Sequence, residues 1–138
     1  MLDVKGLQVR YGAVLGVDGL DLYVNQGEIV VLIGANGAGK SSTVNAITGL
    51  VKPAAGHIRF CDADMGRLDA AARVKQGMAL VIEGQGVFPE MTVRENLELG
   101  AYSRPTIRSA ALRAAVDEAV AMFPRLGERF DQAAGTLS

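Results

Sequence analysis

Tryptophan is absent from these 138 residues, and cysteine and histidine occur once each. The single cysteine, Cys61, excludes an internal disulfide and suits a reducing compartment. Following the stretch His57-Ile58-Arg59-Phe60, it reads as a small apolar residue rather than a reactive thiol. His57 has no serine, cysteine or carboxylate pattern beside it, so the chain offers neither a nucleophile–base set nor a cysteine/histidine zinc spacing. Neither sign of charge dominates: 14 basic residues stand against 15 acidic ones, which excludes a field strong enough to hold nucleic acid. Long hydrophobic runs are also missing, since none approaches a membrane span. Met1-Leu2-Asp3-Val4-Lys5 lacks a signal-peptide layout. These absences predict a soluble, cytoplasmic protein that meets a membrane only through a partner.

Glycine, by contrast, is plentiful, with 17 residues, and hydrophobic residues make up 49% of the chain, enough for a buried core. Three of the glycines fall in Gly34-Ala35-Asn36-Gly37-Ala38-Gly39-Lys40-Ser41, which fits the phosphate-loop pattern G-x-x-x-x-G-K-[ST]. The β-branched run Glu28-Ile29-Val30-Val31-Leu32-Ile33 before it predicts a short buried parallel strand. Ser42 to Leu50 after it predicts a helix. Strand, glycine loop and helix form the context this motif requires. The glycines let successive N–H groups turn toward phosphate oxygens, and the helix N-terminus adds partial positive charge. Lys40 is suited to bridging the terminal phosphates of a nucleoside triphosphate, and the Ser41 hydroxyl to ligating Mg²⁺.

The chain predicts an α/β fold with a change of character along its length. Leu2, Val4, Leu7 and Val9 mark a first strand region, and Leu20, Leu22 and Val24 alternate with Asp21 and Tyr23 as a half-buried strand does. His57–Phe60 reads as a further strand, Ala70–Lys75 as a short helix and Met78–Ile82 as another buried strand. From Thr92 onward the pattern is helical. Thr92-Val93-Arg94-Glu95 spells a capping box. Leu112, Val116, Ala119, Val120 and Phe123 fall on one helical face, with Arg113, Asp117 and Glu118 off it, and Pro105 and Pro124 bracket that region. The expected organisation is a β-rich phosphate-loop core over residues 1–86 and an α-helical part over 87–138.

Two further residues invite chemistry. Tyr11 lies upstream of the loop, where an aromatic face either stacks on a base or packs. Glu83 ends the Met78–Ile82 run and opens a glycine-flanked loop, either reaching Mg²⁺ or sitting solvated; Gln85 is a weaker candidate for the same task. After Ser41 no apolar run ends in Asp-Glu. A hydrolase of this kind needs such a second acidic strand end, so the catalytic set looks incomplete.

Tyr11-Gly12, the phosphate loop, Glu83-Gly84-Gln85-Gly86-Val87-Phe88-Pro89 and Thr92-Val93-Arg94-Glu95-Asn96-Leu97 occur in an order that resembles ABC-transporter ATP-binding subunits. The likeness is strongest to the ATPases of branched-chain amino-acid importers and covers the whole chain; Phe123-Pro124-Arg125-Leu126 and Ala134-Gly135-Thr136-Leu137-Ser138 also match. Ile82 and Gln85 depart from the proline and arginine usual there. The resemblance implies a P-loop ABC-type nucleotide-binding domain, incomplete, with ATP and Mg²⁺ as cofactors. It makes Tyr11 the adenine-stacking aromatic, gives Asn36 to Ser42 the β- and γ-phosphates, and sets Ser41 and Glu83 around Mg²⁺. It also implies that the helices after residue 90 dock a transmembrane permease, and that a second ATP-binding subunit supplies the opposite half of each site. Leu137-Ser138 resembles the start of the signature motif; its glycines, the acidic strand with the catalytic glutamate, and the switch histidine are not among these residues. The expectation is therefore the N-terminal part of an importer ATPase that binds nucleotide without turnover. The alternative is a non-catalytic interaction fragment engaging a membrane subunit. Without neighbouring strands, Glu28–Ile33 should present an apolar edge, open to pairing with a second copy.

Overall fold

The computed structural model describes residues 1–84, 86–103 and 109–137. Gln85, Pro105 and Ser138 therefore lie outside the described residues. The chain divides into two compact units, Met1–Ala79 and Leu80–Ser138.

The first unit is built on a four-stranded antiparallel sheet. Its strands are β1 (Leu2–Tyr11), β2 (Val14–Val24), β3 (Ala55–Phe60) and β4 (Ala63–Asp64), in the order β2-β1-β3-β4. Val4, Leu7 and Val9 of β1 are all fully buried, although an even number of residues separates the first two. A register shift between Val4 and Leu7 accounts for this, with Gly6 at φ +57° and its N–H donating to Asp21 Oδ1 at 2.7 Å. Gly56 of β3 faces this bulge so closely that a Cβ there would lie 2.6 Å from the Gly6 carbonyl oxygen. Helix α1 (Lys40–Thr48) lays Ala46 and Ile47 on the sheet's inner face, in one core with Val17, Ile58, Met65 and Met78. Helix α2 (Ala70–Lys75) starts at Asp69, whose side chain accepts the Ala72 N–H at 2.8 Å.

The β2, β3 and α2 expectations hold. The strands expected at Glu28–Ile33 and Met78–Ile82 do not form. Both stretches lie outside every sheet, and Ile29, Ile33 and Val81 are 90%, 91% and 93% exposed. A strand exists through its ladder. Among the described residues no segment pairs with these runs, so their β-branched side chains have propensity but no partner. An uncovered apolar run is what the sequence predicts for a strand without neighbours.

The second unit is helical, with α3 (Val93–Leu99), α4 (Ser109–Met122), α5 (Pro124–Glu128) and a 3₁₀ turn at Ala134–Thr136. The capping box forms as spelled. Thr92 Oγ1 accepts the Glu95 N–H at 3.2 Å, and Glu95 Oε2 accepts the Thr92 N–H at 2.8 Å. Asn96 ties the preceding loop down, donating to the Phe88 and Thr92 carbonyls and accepting the Phe88 N–H. On α4, Val116 is buried and Leu112, Ala119 and Val120 are half-buried, with Arg113, Asp117 and Glu118 exposed. Phe123 departs from the expected face: it is exposed and caps α5, because Pro124 ends one helix and starts the next.

The backbone N–H of Thr92, and then its hydroxyl, hold the Glu95 carboxyl below the usual glutamate range. A carboxylate depressed in the folded state contributes stability above its unfolded pKa and loses it as pH falls through the folded value. The helical signal should therefore weaken on acidification through the ordinary glutamate range and below it. Glu95→Gln should flatten that acid limb, and Thr92→Ala should cost about 1 kcal/mol. Circular dichroism against pH checks both.

Candidate functional site

The loop from Gly34 to Gly39 joins the uncovered run to α1, and its three motif glycines do different things. Gly34 has an ordinary φ, Gly37 is left-handed at φ +85° with open space around it, and Gly39 is left-handed at φ +89° against β2. A Cβ on Gly39 would lie 2.4 Å from the Gly16 carbonyl oxygen and 3.1 Å from Val17 Cγ2. Only glycine fits both this backbone and this approach. The Ala38 N–H turns back to the Ala35 carbonyl at 3.1 Å, closing the bend. Gly39 is the N-cap of α1 and has no side chain to cap with, so the first turn's N–H groups keep their directed positive potential.

Lys40 and Ser41 open the helix. The Lys40 ammonium folds over the loop and donates to the carbonyls of Gly34 (2.6 Å) and Ala35 (2.8 Å). Ser41 is exposed and Ser42 half-buried. Thr43 is buried beneath them, its hydroxyl and its N–H both bonded to the Gly39 carbonyl at 2.9 and 2.8 Å. The structure thus brings Gly34, Ala35, Asn36, Gly37, Ala38, Gly39, Lys40, Ser41 and Ser42 into one loop-and-helix turn, exposed except where Gly39, Lys40 and Ser42 pack in part.

Tyr11 joins this group. It ends β1, is 47% exposed, and its hydroxyl donates to Ser42 Oγ at 3.3 Å. The aromatic ring is therefore neither buried packing nor remote from the loop. Glu83 is exposed on a bend in the second unit. Among the described residues no cluster of three or more His, Cys, Asp or Glu forms a cation site. A hard cation here would take its protein oxygen from the exposed Ser41 hydroxyl and the rest from phosphate and water, a donor set that suits Mg²⁺.

Sequence reasoning missed the residue that holds the far end of α1. Arg73 of α2 is only 2% exposed and donates to four carbonyls. Nη1 reaches Ala46 and Ile47 at 2.7 Å each, Nη2 reaches Met65 at 2.7 Å, and Nε reaches Leu68 at 2.9 Å. Burial pushes its pKa down, an effect that the charge of Asp64 opposes. Nothing in Ala-Ala-Ala-Arg-Val-Lys distinguishes this arginine from a solvated one. Gly16, on which Gly39 rests, was equally silent.

Residues 17–138 match the ABC transporter family. Over all 138 residues the chain is 36% identical to the high-affinity branched-chain amino acid transport ATP-binding protein BraG of Pseudomonas aeruginosa, covering 58% of that protein. It is 38% identical over 107 residues, 78% of this chain and 30% of the relative, to an sn-glycerol-3-phosphate import ATP-binding protein, UgpC 2, of Rhizobium johnstonii. A solved ATP-binding subunit of an ABC transporter superposes over the whole chain and 56% of its own length, with a TM-score of 0.84 and 30% identity. The chain belongs to the ABC transporter family, has the fold of its ATP-binding cassettes, and spans about three fifths of the length of the first of these relatives.

Proposed function

We propose that this chain is the ATP-binding part of an importer's cytoplasmic ATPase subunit, with hydrophobic, branched-chain amino acids as the transported class. The observation that carries the reading is the loop itself: Gly39 pressed on β2, Lys40 over the loop and the hydroxyls of Ser41 and Ser42 at the first turn of α1. Its chemistry suits the phosphates of ATP, with Tyr11 against the base and Ser41 toward Mg²⁺. Bound Mg²⁺ would neutralise the terminal phosphates. Lys40 would exchange its two carbonyl partners for phosphate oxygens, bonds in which both donor and acceptor are charged in place of ones in which only the donor is. The amino-acid class rests on the likeness to the branched-chain relative alone, and the glycerol-phosphate relative matches a large part of the chain at a similar identity. The permease and a second ATP-binding subunit are the partners, and the helices after residue 90 are the permease-facing part.

By itself the 138-residue chain should bind a fluorescent ATP analogue and fail to turn ATP over, because after Ser41 no apolar run ends in the Asp-Glu pair that would position water and metal. Lys40→Ala should weaken that binding at least about tenfold, the loss expected of one charge-assisted phosphate contact. Multiple-turnover hydrolysis by this chain that Lys40→Ala abolishes would overturn the claim of no turnover. Binding that Lys40→Ala leaves unchanged would overturn the site.

A further inference from the structure

We propose that Gly16 sets the resting posture of Tyr11 and, through it, how readily the loop takes a nucleotide. The inference rests on the nucleotide reading above. Arg10 pairs with Leu15 and Val9 with Val17, so Gly16 is the extra residue of a bulge in β2. Its carbonyl oxygen meets Gly39, and its bare Cα meets Tyr11. A Cβ on Gly16 would lie 3.2 and 3.4 Å from Tyr11 Cε2 and Cδ2, and 3.5 Å from Ser42 Oγ. The ring therefore lies closer to the Gly16 backbone than it comfortably would to a residue with a Cβ. From that seat the Tyr11 hydroxyl donates to Ser42 Oγ at 3.3 Å.

The consequence is that the aromatic platform and a first-turn hydroxyl of the phosphate helix are engaged with each other. A nucleotide that uses both must first part them, and its apparent affinity falls by the fraction of chains in which they are apart. Gly16 is not left-handed, so alanine adopts the same backbone without strain. The added methyl crowds a side chain free to rotate rather than a fixed backbone. The ring should give by a few tenths of an ångström, enough to lengthen and weaken a hydroxyl contact to Ser42 that is already 3.3 Å long. Gly16 is thus a positioning residue that acts through Tyr11.

Titration with a fluorescent ATP analogue on the full 138-residue chain tests this. Gly16→Ala should tighten binding about threefold, the factor expected of one long hydrogen bond released. Tyr11→Phe, which keeps the ring and loses the hydroxyl, should tighten it to a similar extent. The two effects should not multiply in the double variant, because both remove one contact. A merely structural role for Gly16 predicts weaker binding and no dependence on the Tyr11 hydroxyl. If Gly16→Ala fails to fold by circular dichroism, Tyr11→Phe decides alone: tighter binding supports the proposal and unchanged binding overturns it. Wild-type binding that neither variant tightens, or gains that multiply, would remove the role of Gly16 and leave the nucleotide site standing. A wild-type chain that binds no nucleotide would instead bring down the site, and this proposal with it.

Discussion

Replacing Arg73 with methionine should lower the stability of the Met1–Ala79 unit by about 2 kcal/mol, seen as a lower urea midpoint at unchanged slope. Methionine keeps much of the side-chain volume and removes every donor. The carbonyls of Ile47 and Leu68 then lose their partner, while those of Ala46 and Met65 keep the backbone N–H groups of Gly49 (3.3 Å) and Leu68 (3.1 Å). Each buried acceptor left unpaired costs roughly 1 kcal/mol or more. Water entering from the open cleft lined by Gly49, Lys52, Arg67 and Asp69 recovers part of that. Arg73→Lys keeps the charge but has one nitrogen for four widely spaced acceptors, so it should recover less than half of the loss. The Gly49 turn should loosen first, since a Cβ there would lie 3.0 Å from Arg73 Nε, a sign of how closely the guanidinium fills that corner. A loss below about 1 kcal/mol would mean that the arginine is packing material only.

How much of this was legible in the sequence depends on whether a residue's environment is local. The capping box could be read from four letters, because its two hydrogen bonds close within one turn. The turn of the glycine loop into α1 could be read from eight, because its backbone is forced by glycine and its helix follows directly. The Glu28–Ile33 and Met78–Ile82 runs have the composition of strands, yet a strand needs a neighbour, and hydrophobic pattern alone carries no information about whether one is present. Phe123 matched the α4 period and missed the break that Pro124 imposes one residue later. Arg73 and Gly16 were invisible for a related reason. Each is defined by what approaches it from elsewhere in the chain, 26 and 27 residues away for the α1 carbonyls that Arg73 holds. Tyr11 stood between these cases. Its place beside the loop was open on residues alone and is now fixed by its contact with Ser42, 31 residues on.

The second large effect belongs to the loop's last glycine. Gly39→Ala should cost at least about 2 kcal/mol and remove nucleotide binding, whereas Gly37→Ala should cost only about 1 kcal/mol and leave the fold intact. Both residues are left-handed, at φ +89° and +85°, so the intrinsic backbone penalty is alike. The difference lies in what surrounds them. A methyl at Gly37 meets nothing within 4 Å, while one at Gly39 meets the Gly16 carbonyl oxygen at 2.4 Å. That oxygen is backbone in a paired strand and has no rotamer to escape into. Either α1 withdraws from β2, uncovering Ala46 and Ile47, or Gly39 leaves the left-handed region and the first-turn N–H groups swing off the proposed phosphate position. Stability and binding should therefore fall together for Gly39→Ala. Gly37→Asn, a residue that tolerates the left-handed region, should come nearer to the wild type than Gly37→Ala in thermal midpoint. Equal losses at the two glycines, measured by thermal unfolding and by titration with the fluorescent ATP analogue, would show that backbone conformation alone governs this loop and that its seat on β2 contributes nothing.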